Sequence, residues 1–401
     1  MSDAIPIQGD VRSYRMTNID MMRGLVIIIM ALDHVRDYFQ YAGLGVNIDD
    51  PAIGAGFYVT RWITHLCAPV FVLLAGTSIG LMEQRRTKKE LSAFLFKRGL
   101  WLIFVEIAII SSALTLSWGE PAYDGAIIAF LQVIFGLGVS MLILSATIYF
   151  GARNCFILGV AILIGQEFVL PYLPIGTMFR GDNPAWISLF TMASFKAGPF
   201  YAVVGYTPLQ WSAIMMIGYG TMGIFQKEPT ERDALLRKIG ISFIIAFFVI
   251  RGSDLFGDPN HWQMQELGML STVFDFFNVS KYPPSLLFFM ITIGPMAIVC
   301  SYADRMQGWL KDTLVMLGRV PFAFYVVHFY LIHLLSVAFG MFQGFEMEQM
   351  RRMFIFYPEG YGTNLVGVYA VWLIVMAIMY PFCKWMYNIK RSRKDWWLSY
   401  L

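Results

Sequence analysis

The most regular feature of the sequence is a series of long apolar runs separated by short polar or charged segments. A membrane-spanning helix needs about 20 mostly apolar residues, and most of the runs approach this length. The sequence therefore predicts an all-α, polytopic integral membrane protein with about ten transmembrane helices, forming a single domain over residues 1–401. The predicted spans are 24–41, 59–82, 99–117, 125–148, 155–170, 208–225, 239–252, 284–302, 313–340 and 364–383.

The composition supports this class of protein. Hydrophobic residues make up 57% of the chain and charged residues only 14%, whereas soluble domains carry about 25% charged residues. This balance excludes a disordered chain, a secreted disulfide scaffold and a nucleic-acid-binding protein. The four cysteines lie far apart in apolar stretches, without a CxxC pair, and are predicted to act as small hydrophobic residues.

The lysines and arginines are concentrated in alternate connections, which indicates the orientation of the chain. Positive connections face the cytoplasm, so the N-terminal segment 1–22, the connection 83–98 and the tail 384–401 are predicted to lie inside. Both termini are therefore predicted to be cytoplasmic. The longer connections, rich in aromatic residues, proline and glycine, then lie outside: 42–58, 171–207, 253–283 and 341–363.

The first predicted span contains an unusual number of ionisable residues, which are costly in hydrocarbon and commonly functional. Arg23 and His34 are 11 positions apart, so on an α-helix they share a face, about 16 Å apart along the axis. Asp37 follows His34 by three positions and is predicted to touch it, while Asp33 lies about 80° round the helix. A carboxylate beside an imidazole favours a general base. The alternative is a helix end that emerges into water.

The second span carries His65 in its outer half, at a depth similar to that of His34. The two histidines are predicted to border one pocket, with a packed structural histidine as the alternative. Gly76 and Gly80 form a small-xxx-small pair that favours close helix packing.

The ninth span contains Arg319, His328 and His333. Arg319 and His333 are predicted to share a face, subject to a kink at Pro321, and His328 to point the other way. The lone buried acid Glu106 is expected to pair with Arg319 or a histidine. Haem ligation by paired histidines is a further option, but the pairs do not recur at matched depths, so neither haem nor a metal is predicted.

Five stretches resemble one known family. The sequence is identified as a bacterial member of the heparan-alpha-glucosaminide N-acetyltransferase catalytic-domain family, within the wider transmembrane acyltransferases. The resemblance runs from near residue 18 to the C-terminus, and the Arg23 and His34 spacing matches the Arg, ten residues, His pattern of acyltransferase family three. The stretches are IDMMRGLVIIIMALDHVRDYF, THLCAPVFVLLAGTSIGL, KYPPSLLFFMITIGP, GRVPFAFYVVHFYLIHLL and DWWLSYL.

The resemblance implies transfer of an acyl group, commonly acetyl from cytoplasmic acetyl-CoA, to a hydroxyl or amine of an extracytoplasmic glycan or lipid-linked sugar. It implies an integral protein of the bacterial inner membrane, whose partners are the bilayer, acyl-CoA and the sugar acceptor, and a homo-oligomer is compatible with it. Eukaryotic members place a functional histidine in the loop after the first span, where segment 42–58 has none.

Combining residues and resemblance gives a hypothesis for the site. His34, oriented by Asp37 or Asp33, acts as general base or transient acyl carrier, and His65 or a buried hydroxyl stabilises the oxyanion. Arg23 and Arg319, with Arg98, hold the phosphates of CoA.

Two alternatives use the same residues differently. A transporter or flippase would line a substrate or proton path with them, and a non-catalytic scaffold would retain only the fold. A transporter predicts broken helices and an inverted repeat, and the sequence pattern indicates neither.

Overall fold

The computed structural model describes residues 16–41, 54–117, 119–120, 123–174, 183–393, 395 and 398. Several sequence predictions lie outside these residues. They concern residues 1–15 of the N-terminal segment, most of the outer connection 42–58, residues 175–182 of the connection 171–207, and most of the C-terminal DWWLSYL stretch.

The described residues form fifteen α-helices and three short β-strands. The helices are α1 (Thr17–Phe39), α2 (Ala55–Thr64), α3 (Cys67–Glu83), α4 (Lys88–Val105), α5 (Ser111–Thr115), α6 (Val133–Thr147), α7 (Ala152–Val169), α8 (Pro208–Gly220), α9 (Pro229–Ser253), α10 (Met269–Phe277), α11 (Leu286–Cys300), α12 (Gly308–Gly318), α13 (Pro321–Phe342), α14 (Met347–Met350) and α15 (Leu365–Ser392). The strands are β1 (Ile127–Leu131), β2 (Ala193–Ala197) and β3 (Phe200–Val204).

The membrane character of the chain is confirmed. Within the described residues, six helical segments are long and apolar enough to cross a bilayer: Ala55–Glu83, Val133–Phe150, Ala152–Tyr172, Leu286–Arg305, Pro321–Phe342 and Leu365–Ser392. The other four predicted spans coincide with α1, α4, α8 and α9, which do not meet these criteria of length and composition. The total of ten spans and the cytoplasmic position of both termini stay predictions.

A small sheet departs from the all-α prediction. Strand β1 pairs in parallel with β3, and β3 pairs antiparallel with β2. The span predicted at 125–148 is therefore helical only from Val133. The segment before it, IIAFL, has the β-branched and aromatic content that favours a strand.

The side chain of Glu106 binds the start of helix α6, directly after strand β1. Its carboxylate accepts hydrogen bonds from the backbone N–H groups of Gln132, at 3.3 Å, and Phe135, at 3.0 Å. A negative group is stabilised at a helix N-terminus, where backbone donors are unpaired. The partner of Glu106 is thus the start of α6, and the predicted pairing with Arg319 or a histidine is wrong.

Two predicted spans are irregular within their first third. The span 59–82 is divided at His65 and Leu66, where Pro69 cannot donate to the carbonyl four residues earlier. The span 313–340 is divided at Arg319 and Val320, because α13 starts with Pro321. Residues 65 and 66 keep helical dihedral angles, whereas at Pro321 the expected kink is a change from one helix to the next.

Helix α1 lies at the centre of the packing, against α3, α12, α13 and α15. Its core-facing residues Val26, Ile27, Ala31 and Val35 are fully buried. Around this helix the larger hydrophobic core is assembled from most of the other helices.

Two helix crossings bring backbones into direct contact. A Cβ added to Gly318 of α12 would lie 1.8 Å from the carbonyl oxygen of Asp20 in α1, and one added to Gly24 would lie 2.0 Å from that of Leu314. At Gly76 of α3, a Cβ would lie 2.1 Å from the carbonyl oxygen of Met215 in α8. The predicted close packing at Gly76 is confirmed.

Candidate active site

A cavity of about 770 Å³ lies among α1, α3, α4, α6, α13 and the segment before α11. Its volume is in the usual range for small-molecule sites. All seven residues that the sequence analysis assigned to the site border it: Arg23, Asp33, His34, Asp37, His65, Arg98 and Arg319. Because α1 rises about 1.5 Å per residue, its residues from Arg23 to Asp37 extend the cavity over about 21 Å.

One end of the cavity, called the basic end here, is formed by Arg23, Arg98, Arg319 and Lys390. Arg319 Nε donates to the carboxylate of the buried Asp20 at 3.0 Å, and Arg23 lies 3.5 Å from the other oxygen of that carboxylate. One acid therefore bridges two arginines of the basic end.

Neighbouring groups fix the direction of these cations. Arg23 Nη2 also donates to the Ser78 hydroxyl of α3 at 2.5 Å. Arg319 Nη1 donates to the Tyr387 hydroxyl at 3.0 Å, and the Lys390 ammonium donates to the Arg319 carbonyl at 3.3 Å. That carbonyl is in reach because the helix is interrupted at Arg319. The close contact of α1 and α12 at Gly24 and Gly318 holds Arg23 and Arg319 together.

His34 lies between the two ends of the cavity. Its ring packs against Phe329, with centroids 4.3 Å apart, and against His328, with centroids 5.3 Å apart. Among the described residues, neither ring nitrogen of His34 has a hydrogen-bond partner. The imidazole is thus half-buried and available to a molecule in the cavity.

The carboxylates near His34 are held by cations. Arg36 Nη2 lies 2.6 Å from Asp33 and 2.9 Å from Asp37. Asp33 also faces Lys281, whose ammonium is 3.8 Å away. The predicted contact of Asp37 with His34 is absent from the hydrogen bonds of the described residues, because Arg36 competes for the same carboxylate.

The second end of the cavity, called the mixed-charge end here, contains the Asp33, Arg36 and Asp37 group together with Arg61 and Lys281. Within the described chain, the Arg61 guanidinium makes no hydrogen bond or ion pair. Burial alone would lower the pKa of Lys281, but Tyr282 and Asp33 raise it above its ordinary value. This lysine is therefore a cation at neutral pH.

His65 borders the cavity at the interruption between α2 and α3. Its ring contacts the edge of Phe288, with centroids 5.8 Å apart. In the described part of the chain its ring nitrogens have no hydrogen-bond partner. The prediction that His34 and His65 border one pocket is confirmed, whereas a chemical role for His65 stays a prediction.

Three tyrosines that the sequence analysis did not single out also border the cavity: Tyr206, Tyr282 and Tyr325. Tyr206 and Tyr282 are in edge contact, with ring centroids 5.8 Å apart. Tyr325 is 3% exposed, and its hydroxyl is buried without a hydrogen-bond partner in the described structure. Tyrosines are common near membrane interfaces, so no local sequence pattern separates these three from the others.

The two histidines of α13, His328 and His333, do not border the cavity. His328 is fully buried, and its Nδ1 donates to the Tyr325 carbonyl at 2.6 Å. His333 bridges the carbonyls of Ala113, at 2.7 Å, and Met350, at 3.0 Å. The predicted common face of Arg319 and His333 is wrong, because the two residues belong to different helices.

Among the described residues, no three His, Cys, Asp or Glu side chains are grouped as metal ligands.

These features define a helical integral membrane protein with a buried, charged cavity centred on its first helix. The chain belongs to the family described as heparan-alpha-glucosaminide N-acetyltransferase, catalytic, whose family model matches residues 15–256. Membership implies acetyltransferase activity in the membrane. No curated protein matches the chain.

The family match confirms the resemblance over its N-terminal part. It includes α1 with Arg23 and His34, α3 with its glycines, and Arg98 of α4. It ends before α11, so the stretches KYPPSLLFFMITIGP and GRVPFAFYVVHFYLIHLL, which carry Lys281, Arg319 and Tyr325, lie beyond it.

Proposed function

We propose that this protein transfers an acyl group, acetyl in the simplest case, from acyl-CoA to a hydroxyl or amine of a glycan or lipid-linked sugar. The donor binds at the basic end of the cavity and the acceptor at the mixed-charge end. The observation that carries this proposal is that one cavity joins a cluster of cations, an unpartnered histidine and a second polar end.

The basic end suits a nucleotide that carries several phosphates. Four cations border this end of the cavity, and the buried Asp20 carboxylate holds two of them, Arg23 and Arg319, side by side. Arginine binds phosphate through paired N–H donors. The positive-inside rule supports a cytoplasmic location for this end, and with it both termini in the cytoplasm of a bacterial inner membrane.

The length of α1 suits the donor as well. Arg23 and His34 lie on one uninterrupted helix, about 16 Å apart along its axis. This gap is comparable with the reach of an extended pantetheine arm. A CoA held at the basic end would therefore present its thioester near His34.

His34 would then act on the thioester in one of two ways. As a general base, it takes the proton of the acceptor hydroxyl or amine while the acceptor attacks the carbonyl carbon. As a nucleophile, it takes the acyl group first and passes it to the acceptor. In both cases the carbon–sulfur bond breaks and CoA leaves as the thiol, with the proton that the acceptor lost.

The decisive experiment measures thiol release from acetyl-CoA by the purified protein in nanodiscs, with methyl α-glucosaminide or an extract of envelope glycans as acceptor. Wild-type protein should release thiol in an acceptor-dependent way, and His34→Ala should not. His261→Ala is the matched control, because His261 is exposed and pairs with Asp254 away from the cavity. Release that persists in His34→Ala would exclude the role of His34.

Transport is the second candidate, since two helices that border the cavity are interrupted, at His65 and at Arg319. Interrupted helices at a central cavity are frequent in transporters. Proteoliposomes loaded with labelled CoA or labelled sugar separate the two functions. Acceptor-independent passage of label without thiol release would favour transport over acyl transfer.

A further inference from the structure

The hydroxyl of Tyr325 is an unusual group in this cavity. It belongs to a side chain that borders the cavity and is 3% exposed, and among the described residues it has no hydrogen-bond partner. Among the tyrosines that the structure describes, no other hydroxyl is buried in this condition. A buried hydroxyl without a partner destabilises the folded state, so its presence at a site calls for an explanation.

The surroundings of Tyr325 connect it to His34. The Tyr325 ring packs against Phe329 and His328, with centroids 5.0 Å and 5.6 Å away. The same two rings contact His34. Tyr325 and His34 therefore contact the same two rings and both border the cavity, and among the described residues neither the hydroxyl nor the imidazole has a hydrogen-bond partner.

We propose that Tyr325 is a catalytic residue, whose hydroxyl donates a hydrogen bond to the oxyanion that forms on the thioester carbonyl. This inference rests on the proposed acyl transfer and identifies the residue that donates a hydrogen bond to the oxyanion in that reaction. A donor that is already desolvated and unpaired breaks no protein hydrogen bond when charge develops, which is the condition for strong stabilisation of a transition state.

In the direct form of the reaction, the acceptor oxygen or nitrogen forms a bond to the carbonyl carbon and gives its proton to His34. The carbonyl oxygen becomes an oxyanion and accepts the Tyr325 O–H. The carbon–sulfur bond then breaks, the sulfur leaves with the electron pair, and the proton on His34 passes to the thiolate. The products are the acylated acceptor and CoA, and Tyr325 keeps its proton throughout.

Tyr325→Phe tests this role, because it removes the hydroxyl and leaves the ring. We expect kcat for thiol release to fall about 10²–10³-fold, as for the loss of one oxyanion donor, with little change in KM for acetyl-CoA. The Tm should stay equal or rise, since an unpaired polar group is removed. His65→Gln, measured beside it, should have a smaller effect on kcat.

Tyr330→Phe is the matched control on the same helix. The Tyr330 hydroxyl is engaged, at 2.7 Å from the Ser112 hydroxyl and 2.9 Å from the Ile109 carbonyl, and it does not border the cavity. This variant should lose Tm and keep kcat. Wild-type kcat in Tyr325→Phe, or an equal loss in both variants, would overturn the role of Tyr325 and leave acyl transfer intact. No thiol release by the wild-type protein would overturn acyl transfer and this role with it.

Discussion

The imidazoles of His34 and His328 pack against each other with centroids 5.3 Å apart, yet only the first of the two borders the cavity. His328 is fully buried and its Nδ1 is bonded to the Tyr325 carbonyl, whereas His34 has no hydrogen-bond partner among the described residues. Two adjacent histidines are therefore expected to respond very differently to substitution.

His34→Ala should abolish thiol release and change the Tm little. His328→Ala should lower the free energy of unfolding by roughly 2 kcal/mol or more, because it opens a cavity in a packed region. Parallel thermal unfolding and thiol-release assays in one detergent check this pair. Loss of Tm in His34→Ala comparable with that in His328→Ala would contradict the division of roles.

Asp20→Asn should destabilise the fold without weakening CoA binding. The Asp20 side chain is 2% exposed, and its negative charge is paired with the positive charges of both Arg23 and Arg319. Because the arginines are themselves partly exposed, we expect a loss of about 2 kcal/mol, below the value for a fully buried pair. Thermal unfolding with and without CoA measures both effects, and Asp312→Asn, on the exposed face of α12, is the control. An unchanged Tm would show that Asp20 is not needed to hold the two arginines.

Arg319→Gln should raise the KM for acetyl-CoA about 10–100-fold, which corresponds to the loss of one or two charge-assisted hydrogen bonds. Arg305→Gln is the control, since Arg305 is exposed and does not border the cavity. The difference between the two variants should shrink at high salt, which screens partly exposed charges. Equal KM values for both variants would place the CoA phosphates elsewhere.

Gly318→Ala should be strongly destabilising. The added Cβ would lie 1.8 Å from the Asp20 carbonyl oxygen, so α1 and α12 must separate, at a cost of roughly 1–3 kcal/mol or more. Gly165→Ala in α7 is the control, because nothing lies within 4 Å of the added Cβ there, and it should be neutral or stabilising. A similar Tm for both variants would mean that the crossing adapts at little cost.

Lys281→Met should lower the Tm at neutral pH and lose this effect in alkali. The pKa of Lys281 is raised, so its contribution to stability is complete below the ordinary lysine pKa and disappears as the pH rises through the elevated value. The difference in Tm between the two proteins should therefore stay constant from about pH 7 to about pH 10 and shrink only at higher pH, above the ordinary lysine pKa of about 10.4. Lys196→Met is the control, since Lys196 and its partner Asp124 are both largely exposed. A difference in Tm that stays constant above this pKa as well would contradict this view of Lys281.

The sequence was sufficient where one helix determined the answer. Arg23 and His34 share a face because α1 runs from Thr17 to Phe39 without interruption, and helical geometry alone places both on the cavity. Each predicted span also contains at least one helix. Spans are set by local hydropathy, which a single sequence shows directly.

The sequence was insufficient where distant segments compete for one group. Asp37 is three positions from His34, but Arg36 takes its carboxylate. Glu106 is engaged by backbone donors of α6, and these depend on a strand that pairs with a segment some 70 residues later. The unpartnered state of Tyr325 is a property of the packed structure and has no counterpart in the local sequence.

A proline marks each of the two interruptions in the sequence. Pro321 was expected to produce a kink, yet it begins a new helix and so separates Arg319 from His333. Pro69 stands four positions after His65, at the distance where proline removes a helical hydrogen bond. Both breaks place a polar site residue at a helix end, where side chains and carbonyls are accessible.

The pairing of Asp20 with Arg319 also constrains how the protein is made. The two residues are 299 positions apart, so the ribosome delivers α1 to the membrane long before α12 or the Lys390 end of α15 has been synthesised. During that interval the Asp20 carboxylate has Arg23 of its own helix as a partner but not Arg319, and an incompletely paired acid is costly in lipid. The first helix therefore completes its charge pairing only after α12 has been synthesised.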